Sequence, residues 1–237
     1  MNTHTLPIIG HHRSPLSQKF GMPRQPNLVA IKSHIEFTPP FDVPDAFVGI
    51  EQYSHLWVLW LFHHNKEQAG FRPQVRPPRL GGNDKIGVFA TRSMYRPSRV
   101  GLSVVAFDRL EIKNNKVILH ITGADMIDGT PILDIKPYIT FADSLPHATS
   151  FDIPTVRSVI MTPQAKQDFV DLSNNNQLNQ YDKQIINHLI AQDPRPAYRQ
   201  HETDIVCAMR YKAVDVDFCM NGDGELVIMQ LRAVKNV

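Results

Sequence analysis

Residues 6–138 contain seven apolar runs of strand length, and no segment between them carries apolar residues at helical spacing. The runs fall at 6–12, 29–37, 55–62, 87–92, 101–112, 116–122 and 131–138. The densest, with Trp57, Val58, Leu59, Trp60 and Phe62, is too short between its polar flanks for a helix and reads as a buried strand. Asn114-Asn115 and Asp128-Gly129 tolerate the left-handed backbone of tight turns, so successive strands fold back on one another. A helical turn is expected at 45–50, after Pro44. Closely spaced strands without crossover helices exclude a parallel α/β sheet and predict a mainly β fold built on an antiparallel β-barrel.

Beyond Ser144 the pattern changes. Pro146, Pro154 and Pro163 space a polar connection, 164–172 reads as helical, and Tyr181, Ile185, Ile186, Leu189 and Ile190 recur at helical spacing within 180–192. Pro194 and Pro196 stop that helix. Val214, Val216 and Phe218 alternate with Asp215 and Asp217 as in a half-buried strand, and Asn221 to Gly224 turns it back onto 226–233. The expected organisation is a barrel domain over 1–150 and a smaller C-terminal α+β domain over 151–237. The longest apolar run, Leu56 to Phe62, is too short to cross a bilayer, and the N-terminus has no apolar leader. Two cysteines without a metal or disulfide spacing suggest a reducing compartment, so the expectation is cytoplasmic, with no membrane partner.

The net charge is only +2, yet Arg72, Arg76, Arg79, Arg92, Arg96 and Arg99 fall within 28 residues. Pro73, Pro77, Pro78 and Pro97 interrupt the stretch and keep it out of a helix. Stiffened loops carrying guanidinium forks suit phosphate or carboxylate oxygens. Residues 14–28, with Lys19 and Arg24 after Arg13 and no acid, form a second positive loop. Gly81-Gly82-Asn83 matches neither phosphate-loop pattern and reads as a turn. His11-His12 and His63-His64 lack chelating spacing, so no metal is expected; Ser93 and Ser103 carry no nucleophile motif. Asp134 and Lys136 share one face of a strand, where they are either a surface ion pair or a general base with its electrostatic partner.

VRPPRLGGN (Val75 to Asn83), GVFATRSMYRPSRVG (Gly87 to Gly101) and DGTPILDIKPY (Asp128 to Tyr138) resemble the YaeB-like, TsaA-type β-barrel family. KFGMPRQP (Lys19 to Pro26), SHLW (Ser54 to Trp57) and QDPRPAY (Gln192 to Tyr198) match it too, so the likeness runs nearly the full length. Characterised members are S-adenosylmethionine-dependent tRNA methyltransferases. The resemblance implies a homodimeric enzyme that methylates N6 of threonylcarbamoyladenosine at tRNA position 37, in the anticodon loop. It implies a cofactor site lined by Pro23, Arg24, Gln25, His63, His64, Arg92, Leu102 and the backbone of Asp125, Met126, Ile127 and Asp128. Asp134 is then the candidate proton acceptor with Lys136 beside it, and Arg72, Arg76, Arg79, Arg96 and Arg99 are candidates for RNA phosphates. Ser98 stands where the family carries Asn, which removes an amide fork. Two other readings share these features: a non-catalytic RNA-binding barrel, and a small-molecule methyltransferase using the same cofactor.

Overall fold

Alternation of inward and outward side chains along six strands closes the first part of the chain on itself. The computed structural model describes residues 4–66, 70–77, 84–114, 116–150 and 155–234. One compact unit comprises Met1–Ser14, Gln25–Pro77 and Asn83–Ser150. It carries strands β1 (Gly10–Arg13), β2 (Lys32–Phe37), β3 (His55–Leu61), β4 (Gln74–Val75), β5 (Ile86–Gly87), β6 (Val100–Lys113), β7 (Lys116–Thr122) and β8 (Pro131–Pro137), then the short helix α1 (Thr140–Asp143). The barrel runs in the order β1-β2-β7-β6-β3-β8 and closes where β8 meets β1, while β4 and β5 pair separately. Each neighbouring pair in the barrel is antiparallel.

Ile35, Leu56, Val58, Val105, Leu119, Ile121 and Ile132 fill the interior. Burying such side chains supplies roughly 1.5–3 kcal/mol each before entropy is counted. Trp60 lies opposite Gly101 across β3 and β6. A Cβ at residue 101 would come within 2.3 Å of the indole, so the bare backbone makes room for the ring. Where β3 meets β8, Leu59 faces Asp134 but Trp60 faces Ile132, which leaves Leu133 as an extra residue in a β-bulge. Ile132 thus points inward, whereas Asp134 and Lys136 point out.

The registers place the ends of β1, β3 and β7 and the starts of β2, β6 and β8 at one rim. Among the described residues, 25–31, 62–66, 70–77, 84–99 and 123–130 belong to the connections between strands there.

The second unit comprises Pro15–Arg24, Pro78–Gly82 and Phe151–Val237. Its sheet has the order β10-β11-β12-β9, from β9 (Val159–Met161), β10 (Cys207–Tyr211), β11 (Val214–Met220) and β12 (Leu226–Ala233), with β9 parallel to β12. Helix α2 (Pro163–Asn174) is capped by the Thr162 hydroxyl, and α3 (Gln180–Ala191) by a reciprocal Asn179–Asp182 box. Within this unit Lys212 N donates to Pro15 O, and Phe20 stacks on Phe218.

The expected strand at 87–92 does not form. Only Ile86–Gly87 pairs, and Val88–Ala90 turns as a 3-10 helix. The carbonyl of Val88 accepts from the Thr91 amide, the Thr91 hydroxyl and the Arg96 guanidinium, so local donors outcompete a ladder. Six strands rather than seven therefore close the barrel.

Gly101→Ala is expected to lower stability by about 1–3 kcal/mol through overpacking against Trp60. Gly87→Ala, where a Cβ would meet nothing within 4 Å, serves as the control. Urea denaturation of both variants measures the difference.

Candidate functional site

At the rim, core packing passes directly into charge. Trp60 Nε1 donates to Ser103 Oγ at 2.9 Å, and Ser103 Oγ donates to Asp125 Oδ1. Ser103 is 1% exposed and faces inward on β6, so this relay starts inside the barrel and ends on the connection that leaves β7. Burial raises the Asp125 carboxyl from 3.8 to about 6, against the opposing pull of the Ser103 hydrogen bond and the nearby Arg92 charge. Arg92 donates to Gln25 Oε1, which brings these two rim connections together.

His12 lies on the inner face of β1. Its Nδ1 is 3.3 Å from Ile127 O, which fixes the tautomer with hydrogen on Nδ1. Its Nε2 is buried with no hydrogen-bond partner among the described residues, and burial drives its pKa from 6.5 to about 4. The same segment is held by Ser14 N donating to Asp128 Oδ1, Gly129 N to His12 O, and His12 N to Thr130 O. Residues 125–130 are therefore a pinned strap, with a neutral imidazole behind it and a carboxylate of raised pKa at its start.

The expected cofactor residues divide between environments. Gln25, Arg92 and Asp125 stand together at the rim. The side chain of Met126 belongs to the hydrophobic core, so that residue offers a ligand only its backbone. The carbonyl of Ile127 is taken by His12 and the Thr130 hydroxyl. His63 and His64 follow β3, their rings 4.2 Å apart. Leu102, 51% exposed, sits on the outer face of the wall beside Leu59, whose other neighbour is Asp134. Lys136 Nζ lies 2.7 Å from Asp134 Oδ2, so the expected pair forms, on the side of the wall opposite the Asp125 relay. Pro23 and Arg24 belong to the second unit, where Arg24 Nη2 donates to Arg195 O at 2.7 Å and Asp193 O at 3.3 Å.

Among the arginines, Arg72 and Arg76 are exposed beside β4. Arg79 lies outside the described residues. Arg96 donates to Thr91 O at 2.6 Å and Val88 O at 3.3 Å, so its guanidinium braces its own loop. Arg99 adopts a left-handed φ of 53°, and its carbonyl accepts from Phe62 N. Sequence patterning read Trp60 as strand core and set aside Ser103 as a nucleophile and His12 as a metal ligand, and so missed their roles at the rim. The available signals were a serine at an inward position of an apolar strand and a glycine facing a tryptophan. Among the described residues, no group of three or more His, Cys, Asp or Glu is placed to hold a metal ion, and no helix is long and apolar enough to cross a membrane.

The Asp125 carboxyl binds more protons folded than unfolded between about pH 4 and 6, so its contribution to stability falls as pH rises through that window. His12, held neutral, acts in the opposite direction between about 4 and 6.5. The signature is therefore a difference. Asp125→Asn is expected to become relatively more stable than wild type as pH increases from 4 to 6, measured by urea midpoints. Ser103→Ala should move the Asp125 titration, followed by carboxyl NMR, further upward.

Known proteins resemble this chain over most of its length. The model of the tRNA-methyltransferase O N-terminal domain matches residues 11–144, and that of the TrmO C-terminal domain matches 154–234. The chain is 43% identical over 200 residues to a tRNA (adenine(37)-N6)-methyltransferase of Escherichia coli K12, across 82% of this chain and 83% of that protein. It is 41% identical over 218 residues to a putative S-adenosylmethionine-dependent methyltransferase, RcsF, of Pseudomonas aeruginosa, across 90% and 91% of the two chains. A crystal structure of TrmO superposes with a TM-score of 0.79 at 32% identity, covering 98% of this chain and 100% of the other.

Proposed function

The chain belongs to the tRNA-methyltransferase O family, and on that premise we propose that it methylates N6 of threonylcarbamoyladenosine at position 37 of tRNA, using S-adenosylmethionine. The observation that carries the reading is the gathering at one barrel rim of Arg92, Gln25 and the half-buried Asp125, with exposed arginines on the connection between β3 and β6.

The donor set fits the cofactor. A guanidinium suits its carboxylate, a rim carboxylate suits its ammonium, and exposed Leu102 offers an apolar surface for a purine. S-adenosylmethionine supplies an electrophilic methyl group on a sulfonium. Arg92, released from Gln25, would hold the cofactor carboxylate. The pinned strap 125–128 would present rigid backbone beside it, so that the acceptor nitrogen is positioned with little loss of freedom at the moment of reaction.

The N6 nitrogen of the ureido-modified base is weakly nucleophilic, and removal of its proton assists attack. Asp134 is the proposed acceptor. Lys136, 2.7 Å from that carboxylate, stands ready for the threonyl carboxylate of the substrate. Asp125 is the second reading, favoured by a pKa of about 6, nearer the working range of a general base. Arg72 and Arg76, with Arg99, are the proposed partners of RNA phosphates. We also infer a cytoplasmic, two-subunit protein, for which light scattering tests the assembly.

Asp134→Asn is expected to lower kcat by about 10²- to 10⁴-fold at saturating substrate, with the cofactor Kd unchanged. Near-normal turnover in that variant with a matching loss in Asp125→Asn would transfer the role to Asp125. Affinity for tRNA should weaken steeply between about 50 and 200 mM salt, and Arg72→Ala with Arg76→Ala should flatten the log–log slope by roughly 0.7–0.9 for each phosphate that is no longer neutralised. Calorimetry with S-adenosylmethionine separates the enzyme from a cofactor-free RNA-binding barrel.

A further inference from the structure

Two of the largest exposed apolar side chains stand beside the cationic stretch. Phe71 is 58% exposed and Phe89 69%. Their rings stack, with centroids 6.1 Å apart and planes 28° from parallel. At that spacing the rings are offset, so each keeps aromatic surface open to solvent. Their placement is fixed from below. Phe89 lies in the turn Val88–Ala90, and Phe71 precedes β4, the partner of β5 that leads into that turn. Val88 N donates to Pro73 O at 2.9 Å, which ties the two segments together. Arg96, held by the carbonyls of Val88 and Thr91, places its guanidinium carbon 5.6 Å from the centre of the Phe89 ring.

A rigid aromatic pair left in water marks a surface that something covers. The surrounding charge identifies the chemistry. Exposed Arg72 follows Phe71 directly and exposed Arg76 follows the short strand β4 that comes next, while Tyr95, 43% exposed, lies on the Phe89 side of the same connection. Flat apolar faces flanked by guanidinium groups suit single-stranded nucleic acid, whose bases stack while its phosphates pair with arginine. A purely apolar protein surface would leave the arginines unmatched. We propose that Phe71 and Phe89 form a stacking platform for an unpaired base of the tRNA anticodon loop, separate from the base that is methylated. The inference rests on tRNA being the substrate. Arg96 is then a positioning residue, which fixes the ring that the base meets.

The test uses the full chain, tRNA bearing threonylcarbamoyladenosine, and the same tRNA with 2-aminopurine at successive unpaired anticodon-loop positions. The Phe71→Ala/Phe89→Ala double variant is expected to bind tRNA roughly 5- to 150-fold more weakly, the range that one stacked base contributes. The salt slope should not change, since stacking releases no counterions. Cofactor affinity by calorimetry and subunit mass by light scattering should match wild type. Phe89→Tyr, which keeps the ring, should restore binding, and one 2-aminopurine position should lose its binding-induced quenching only in the alanine variant. Equal tRNA affinity in wild type and double variant, with wild type active, overturns the platform and leaves the methyltransferase reading intact. A changed subunit mass in the double variant overturns it in favour of an interface between copies of the chain. A wild type that neither binds nor methylates tRNA overturns both.

Discussion

The placement of the Trp60 indole against a backbone that lacks a side chain at Gly101 governs the rest of the rim. Only with the ring in that position does its N–H reach Ser103, and only a fixed Ser103 can hold the Asp125 carboxylate. Hydrophobic packing inside the barrel therefore sets the electrostatics at its mouth. A carboxylate tethered in this way keeps a defined position while losing much of its hydration, which explains how one group can be both ordered and unusually willing to hold a proton.

His12 performs the complementary task from β1. Its imidazole is kept neutral by burial and fixes the carbonyl of Ile127, so the strap that carries Asp125 is anchored near both ends by groups that water barely reaches. Asp134 and Lys136, on the outer side of the wall, are exposed and paired with each other. The two faces thus carry carboxylates in different surroundings, one on the connection after β7 and the other on β8, nine residues apart.

Much of this was legible in the sequence where a single rule dominates. Apolar runs bounded by turn residues located β3, β7 and β12 closely, and the i, i+2 spacing of Asp134 and Lys136 placed them side by side. The sequence reading failed where competing donors were distant or numerous. Nothing local in 87–92 reveals that Arg96 will claim the carbonyl of Val88 and dissolve a strand. The union of Ser103 with Asp125 spans 22 residues and depends on barrel register, and β9 is a three-residue parallel strand whose partner lies far along the chain. Arg24 illustrates the same limit, since its hydrogen bonds are to carbonyls around residue 194, and backbone carbonyls leave no trace in composition.

The extra residue at Leu133 acts as a frame shift in the polarity of a strand. Had β8 kept strict alternation from Ile132 onward, residues 134 and 136 would face the same way as Ile132, and a carboxylate and an ammonium would project into a packed interior. One inserted residue moves both to the outside while leaving the apolar lining undisturbed upstream. The barrel can thereby carry ionised chemistry and a dry core on one continuous strand, with a single backbone irregularity separating the two regimes.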